Sequence, residues 1–470
     1  MSRPTVSRSP LTPTRRTVAL GGTAALTATA LAACNPGGSG GGGGGEDAAP
    51  VAEQDTAELA GKSLGYLYFT DGPDEQATRD LIAAFEQEYD VTVELEIVPF
   101  SDITTTLQAR LSGGQAPDVA RVAATAPFAG DLLLLDDYLG AEYLSEFAEG
   151  VRVGMTDADG RIHAIASDLT QNGPFVNTDL FEQAGVALPE TWTWEEMVDL
   201  ATRVQEATGT EFAFAMDKSG HRLSTILSQG GTYLVQDGTS SLDPTAAATA
   251  LQPLVDMIEA GTSPSDFWLD SGTKYQGANE VFLAQQVPVY LSGNWQVAQF
   301  DGNAEFGWAT MPNPTQVAGG GFPGGKFMAG FAEGPENQLA ATFLQFMNST
   351  ESQESFITAS AFMPNRADLT ETGVQYPVRD AEMGVFVADL AETPTEAYAA
   401  CYDANFDAAA QEFVAEFAEV VAGNKDLATA MEDLRASIDA IVEQACCPPP
   451  RRPRAPVGRR RSPTACGGAP

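Results

Sequence analysis

Between residues 62 and 122 the chain alternates two hydrophobic rhythms. KSLGYLYFT (62–70) is a nearly unbroken apolar run, the pattern of a buried strand. GPDEQATRDLIAAFEQEYD then spaces Ala77, Leu81, Phe85 and Tyr89 by four, which puts them on one face of a helix, with Pro73 in its first turn. In VTVELEIV (91–98) the period falls to two: Val91, Val93, Leu95 and Ile97 alternate with Thr92, Glu94 and Glu96, as in a strand. SDITTTLQARLSGG predicts a second helix with Ile103, Leu107 and Leu111 inward and Gly113-Gly114 as its stop, and APDVARV returns as a strand. Strands alternating with helices predict βαβ units, a largely parallel sheet and an α/β fold.

A second region opens near Gln171. FVNTDLFEQAGVALPETWTWEEMVDLATRVQEATG predicts a short helix ended by Gly185 and then a longer one. Thr193 and Glu196 have capping-box spacing, and Trp194, Met197, Val198, Ala201 and Val204 form the inner face. Further helices are predicted over 337–349, 403–422 and 426–444. In the last of these Leu427, Met431, Leu434, Ile438 and Ile441 recur at helical spacing and read as core. From Cys446 the periodicity stops. The stretch 445–470 is rich in proline and arginine, cannot bury enough apolar area to order itself, and is expected to be a dispensable tail.

The start of the chain follows a different logic. Arg15-Arg16 precede an apolar run, Val18 to Ala33, too short and too rich in Thr and Gly to span a bilayer well. Charged start, apolar middle and small exit residues are the layout of a secretory signal over 1–33. The paired arginines resemble a twin-arginine export signal, and Leu31-Ala32-Ala33-Cys34 resembles a lipobox, which implies lipid attachment at Cys34. The glycine-rich stretch within 34–61 suits a flexible leash between a membrane anchor and a folded body. The expected location is the outer face of the cell membrane.

Charge narrows the partners. The chain carries 25 Lys+Arg against 64 Asp+Glu, a net charge of −39. Ten of the cations are arginines before Cys34 or after Cys447, where no acid occurs, which leaves 15 for the body. So acidic a surface repels phosphate backbones and excludes nucleic acid as a partner, while favouring solubility and fitting a salt-rich habitat. Of five cysteines only Cys401 falls in the predicted body, so no disulfide framework or CxxC metal pattern can be built there, and a buried small hydrophobe is its expected role. His163 and His221 are the only histidines, and HExxH, GxSxG and P-loop patterns are absent. No cofactor, metal or catalytic residue is predicted, and both histidines are read as structural.

Several blocks together resemble the bacterial extracellular solute-binding proteins of ABC importers, specifically their large sugar-binding group. SGGQAPDVARV is similar to that family's helix–Gly–Pro–Asp–strand segment. DADGRIHAIASD resembles its hairpin, with His163 in place of the usual aromatic. FVNTDLFEQAGVALPETWTWEEM is the most specific block, although Phe175-Val176 replaces the usual tyrosine. FLAQQVPVYLSGNWQVAQF, MPNPTQVAGGGF and AATFLQFMNSTESQESFITASAFMPNR complete the set, which spans about 62–444. The resemblance implies two α/β lobes with ligand between them, joined by crossings near 168–174, 290–296 and 346–352. The lobes would be 62–170 plus 295–348 and 171–294 plus 349–444. It also implies a monomer that captures an extracellular sugar or oligosaccharide without turning it over, closes around it and delivers it to a membrane permease. Two alternatives stay open: a non-sugar solute (polyol, glycerophosphodiester or peptide) in the same fold, or a secreted carbohydrate-active hydrolase.

Site residues follow from sugar chemistry, which needs hydroxyl partners and flat apolar faces. Trp295, after Ser292-Gly293-Asn294, matches the position of the family's stacking tryptophan, and Asn294 is a candidate hydroxyl partner. Thr70 and Asp71 follow the first strand, where ligands gather in open α/β sheets, although Asp71 could equally cap the next helix. Asp168 could face the cleft at the first crossing. Trp268 is a second aromatic candidate, Gly321 a point of close chain approach and Arg366 a reach towards polar ligand groups. Asp118 reads as a turn-ordering residue, and Trp192 and Trp194 as packing.

Overall fold

β1 (Ser63–Tyr68), β2 (Thr92–Ile97) and β3 (Val119–Val122) form a parallel set in the order β2-β1-β3, joined by the helices Asp74–Tyr89 and Ile103–Ser112. These are the predicted βαβ units. The computed structural model describes residues 58–446 apart from Pro73, Ala158, 270–273 and Gln276. The signal segment, Cys34, most of the leash, Pro73 and the tail beyond Cys446 lie outside the described residues. Ala77, Leu81, Phe85, Val93, Ile103 and Leu107 are buried as their spacing requires.

β4 (Ile165–Asn177) is 13 residues long and buried throughout. It is followed by β5 (Phe214–Met216), a two-residue hairpin β6–β7 (Val235–Gln236 and Thr239–Ser240), β8 (Val289–Gly293), β9 (Trp308–Thr310) and β10 (Pro323–Gly330). The main sheet has the order β2-β1-β3-β10-β4-β8-β5, with β9 also on β4. β10 inserts antiparallel between β3 and β4, so it closes the first half of the sheet. β4 serves both halves. Ile165 to Gln171 pair with β10, and Asn172 to Val176 pair with β8. A strand paired on both sides and covered on both faces needs no polar alternation for burial, which explains why its polar residues Asp168, Gln171 and Asn172 still lie inside.

Two apolar clusters pack on this sheet. One gathers Leu64, Tyr66, Phe85, Val119, Leu169 and Phe343 and extends to Phe175, Phe282 and Phe300 on one face of the second half. The other gathers Val176, Trp194, Phe214, Leu254, Phe417 and Leu434 on the opposite face. Local rules place the helices that cover them. Asn177 caps the helix Thr178–Ala184, whose end is the left-handed Gly185 at φ 66°. Thr193 and Glu196 form both arms of the predicted capping box. Leu427, Met431, Leu434 and Ile438 are buried in the final helix, Leu427–Cys446, and Ile441 is half-buried.

The crossings after β4 come later than expected. β9 pairs with Phe175–Asn177, so residues 295–310 stay with the second half and the return to the first half runs through 311–322. The helix Thr350–Ser360 packs on Asp74–Tyr89, and Met363 bridges Leu169, so 349–366 stay with the first half. The chain rejoins the second half with the helix Asp380–Glu392, which packs on β4 and β9. The sequence pattern marks where elements are. It does not say which half of a shared sheet supplies their hydrogen-bond partners.

Candidate functional site

The parallel strands β1 and β3 release the chain into segments that converge on one cleft of about 720 Å³. From the first half come Asp71, Phe100, Ile103, Thr104 and Ala123-Ala124. From the second come Lys218 to Arg222, Trp295 and one face of the helix Phe406–Val421. Thr170 and Asn172 of β4 and Gly324 to Lys326 of β10 form its floor.

Trp295 lines the cleft, from the second half rather than from a crossing. It follows β8 directly, and its ring folds back so tightly that a Cβ on Gly293 would lie 2.1 Å from it. The Arg222 guanidinium covers the ring with 4.3 Å to its centroid, a cation–π contact that fixes the indole. Arg222 also donates to Asn172 Oδ1 at 2.8 Å, and its other terminal nitrogen lies 3.5 Å from Asp217. Asp217 accepts from the Tyr290 and Ser292 hydroxyls, each at 2.9 Å. Trp295 is thus braced through Arg222 by β4, β5 and β8.

Asp71 also lines the cleft. Behind it Arg121 is fully buried and meets Asp71 at 3.1 Å and Asp74 and Asp168 at 3.0 Å each. It donates further to the Phe69 carbonyl at 2.9 Å, while Tyr68 donates to Asp74. Burial alone would raise the Asp71 carboxyl; the Arg121 guanidinium, then Lys326, outweigh it and hold the group below the usual carboxylate range. No hydrogen bond from a helix N–H to the Asp71 carboxylate is found among the described residues; the Asp71 backbone N–H instead donates to Asp74, the first residue of the helix, at 2.9 Å.

Six candidates lie away from the cleft lining. Thr70 is spent on its own turn, accepting from the Gly72 N–H and donating to Asp74 at 2.7 Å. Asn294 is wholly buried and uses both ends of its amide on backbone: Oδ1 accepts from Gln171 and Nδ2 donates to the Ala361 carbonyl at 2.8 Å. Asp168 sits beneath the floor as a partner of Arg121 and Ser167. Trp268 is 2 % exposed and packs edge-on against Phe417 at 4.7 Å, so it is core. Gly321 does need to lack a side chain, but against the chain itself: a Cβ there would meet the Asn172 carbonyl at 2.3 Å. Arg366 is buried against Glu146 at 2.8 Å and Asp368 at 3.1 Å and donates to the Asn348 carbonyl.

The close approach expected of a glycine loop occurs instead at Gly324 and Gly325, where a Cβ would meet Thr170 Oγ1 or the Asp168 carbonyl at 2.6 Å. Asp118 is structural, accepting from the Gly65 and Glu336 N–H groups at 2.8 Å each. His221 lines the cleft edge-on to Phe322 and Phe406; burial, then Arg222 and Lys326, push it down to about 3, so it is neutral at physiological pH. Cys401 is half-buried on the cleft wall, and burial pushes its thiol up, which keeps it protonated. Among the described residues no group of three or more His, Cys, Asp or Glu side chains could hold a metal ion. The cleft therefore offers donors, acceptors and an aromatic face, a set suited to holding a solute.

The sequence profile of the bacterial extracellular solute-binding proteins matches residues 69–354. The chain belongs to that family. This solute-binding protein is 23% identical over 324 residues to a Brucella abortus protein named as a binding protein, covering 65% of this chain and 76% of the relative. Its fold is shared with the GacH receptor of Streptomyces glaucescens, solved with acarbose, at TM-score 0.69 and 20% identity over 82% of this chain and 99% of the receptor. It is shared equally with the cyclic α-maltosyl-1,6-maltose binding protein of Arthrobacter globiformis, at TM-score 0.68 and 20% identity over 81% and 99% of the two chains.

Sequence reasoning missed Arg121, Arg222 and Lys326 in this solute-binding protein. Arg121 did leave a trace: in VARV it is the one charged residue of an otherwise apolar strand, and such a charge must find partners inside. Arg222 and Lys326 left none, because 104 positions separate them and only the sheet order brings them to one cleft.

Proposed function

We propose that this protein captures an extracellular sugar or oligosaccharide between the two halves of its sheet and hands it to the permease of an ABC importer. One observation carries the reading: a single cleft of about 720 Å³ is lined from both halves and holds Trp295 beside polar side chains on both walls. A guest touching both walls stabilises the closed arrangement of the two halves, because its differential affinity favours the form in which all contacts are made. The halves meet on β4, where strand partners change between Gln171 and Asn172. On this reading the lobes are 58–170 with 323–372, and 172–310 with 380–392 and 406–446, the helix Thr395–Cys401 packing against both. The sugar-binding relatives of the same fold support the choice of solute. On this reading the guest is released unaltered, as the membership in a family of binding proteins supports; of the two carboxylates in the cleft, Asp71 is held ionised by Arg121 while burial pushes Asp407 up. Export by the twin-arginine route, lipid attachment at Cys34, the leash within 34–61 and a monomeric state complete the proposal.

Isothermal titration of the chain against a panel of neutral and acidic oligosaccharides tests it, with small-angle scattering on the same samples. Saturable binding together with a smaller radius of gyration is the expected result. A particle that neither binds nor contracts with any saccharide would end the sugar reading.

A further inference from the structure

The walls of the cleft reverse the charge balance of the molecule. Lys218, Arg222 and Lys326 line it, three of the 15 cations in the body, beside two carboxylates, Asp71 and Asp407; Lys218 is engaged elsewhere, donating to the Trp268 carbonyl at 3.2 Å, which leaves Arg222 and Lys326 facing the cleft. Asp71 is already engaged by the buried Arg121. Lys326 makes no direct ion pair among the described residues, acting on Asp71 only through space, and its ammonium stands 5.9 Å from the centre of the Phe100 ring. Arg222 is only partly satisfied: Asp217 stays at 3.5 Å, and its buried Nε has no hydrogen-bond partner. The field of this pair reaches the neighbouring wall, where Arg222 and Lys326 add to burial in keeping His221 neutral.

Closure over a guest makes this surplus costly. Lysine and arginine are donors only, and an ammonium moved out of water without a counter-charge is strongly disfavoured. A neutral hydroxyl accepts a hydrogen bond but brings no charge. A carboxylate brings both, and a charge-assisted bond is roughly twice as strong as a neutral one. Lys326 enters from β10 and Arg222 from the helix Gly220–Gln229, so an anionic group held by both would also tie one half of the sheet to the other.

We propose that the preferred guest is a saccharide bearing an anionic substituent, a uronate carboxylate above all, held between Lys326 and Arg222 with a sugar face on Trp295. This rests on the sugar reading and sharpens it. A phosphate ester offers the same chemistry from another source, so both belong in the test.

The experiment pairs each saccharide with its charge-altered twin: gluco-, galacto- and manno-configured uronate oligomers against their methyl esters, and hexose 6-phosphates against the free hexoses. Titration calorimetry of the full chain is expected to show at least one acidic member bound about tenfold or more tightly than its twin, with the preference shrinking as salt rises. Uronates leading assigns a carboxylate; phosphates leading assigns an ester. Lys326→Gln should bring acid and twin to near equality while Lys326→Arg keeps the preference, a contrast that a misfolded variant could not produce. Neutral twins bound as tightly as acids across the panel would overturn the charge assignment and leave the sugar reading standing. A preference unmoved by Lys326→Gln would overturn the role of Lys326. Failure of every saccharide to bind would remove the sugar reading and this inference together.

Discussion

Gln171 and Asn294 hold each other in both directions: the Gln171 N–H donates to Asn294 Oδ1 at 2.9 Å, and the Asn294 N–H donates to the Gln171 carbonyl at 3.1 Å. The clasp sits where β4 changes partners from β10 to β8. It ties the end of β8 to the joint between the two halves of the sheet. Asn294→Ala would strand the Gln171 N–H and the Ala361 carbonyl inside the protein. Each orphaned buried group costs about 1–3 kcal/mol, so a loss of about 2–4 kcal/mol in urea-unfolding stability is expected. Unchanged stability would show that the clasp is dispensable.

Trp295→Ala should weaken saccharide binding by about 1–3 kcal/mol, as expected when a large aromatic leaves a binding hot spot. Gly293→Ala reaches the same end by another route. Its new methyl would collide with the Trp295 ring and drive it from its place over β8, while also pressing on the Gln171 carbonyl at 2.8 Å. In the double variant the second change should add little, because both act on one ring. Calorimetry on the three variants decides; fully additive losses would separate the two residues.

Arg366→Ala and Trp268→Phe should lower stability and leave affinity alone. Arg366 links Glu146, Asp368 and the Asn348 carbonyl, and its loss should cost about 2–3 kcal/mol. Trp268 packs against Phe417 in the core. A Kd that rises while the unfolding midpoint holds would return either residue to the cleft.

Arg121→Met would leave Asp74 and Asp168 buried without their cation, an uncompensated arrangement costing about 3–5 kcal/mol. The same cluster gives a pH signature through Asp71. Its folded carboxyl lies below the ordinary value of 3.8, so its contribution to stability is complete above that value and is lost as pH falls through the lower folded one. Unfolding free energies of the parent and Asp71→Asn should therefore converge as pH drops below about 4. Curves that stay parallel over that range would rule out the linkage.

How much of this was legible in the chain depends on the range of each interaction. The strand Thr92–Ile97, the capping box at Thr193 and the inner face of the final helix are local, and spacing alone places them. Trp295 and Asp71 could be singled out because each comes within three residues of a strand's end. Asn294 and Gly321 were singled out rightly as special but for the wrong contact. Both are constrained by β4 rather than by a guest, and a residue's need for an amide or for no side chain does not name what it faces. The late crossings were hidden for a related reason, since nothing in the three residues of β9 or in the glycine-rich β10 says which end of β4 each meets.

The insertion of β10 between β3 and β4 has a bearing on how the molecule comes into being. Some 200 positions separate β3 from the strand that completes its edge. A ribosome must therefore emit about two-thirds of the polypeptide before the first half can finish its architecture, and until then β3 offers an open border of unpaired amides. Completion of that sheet waits for β10, and a fragment ending before Pro323 should be readily digested by protease. The export after folding proposed above would give the last strands time to arrive before the journey starts.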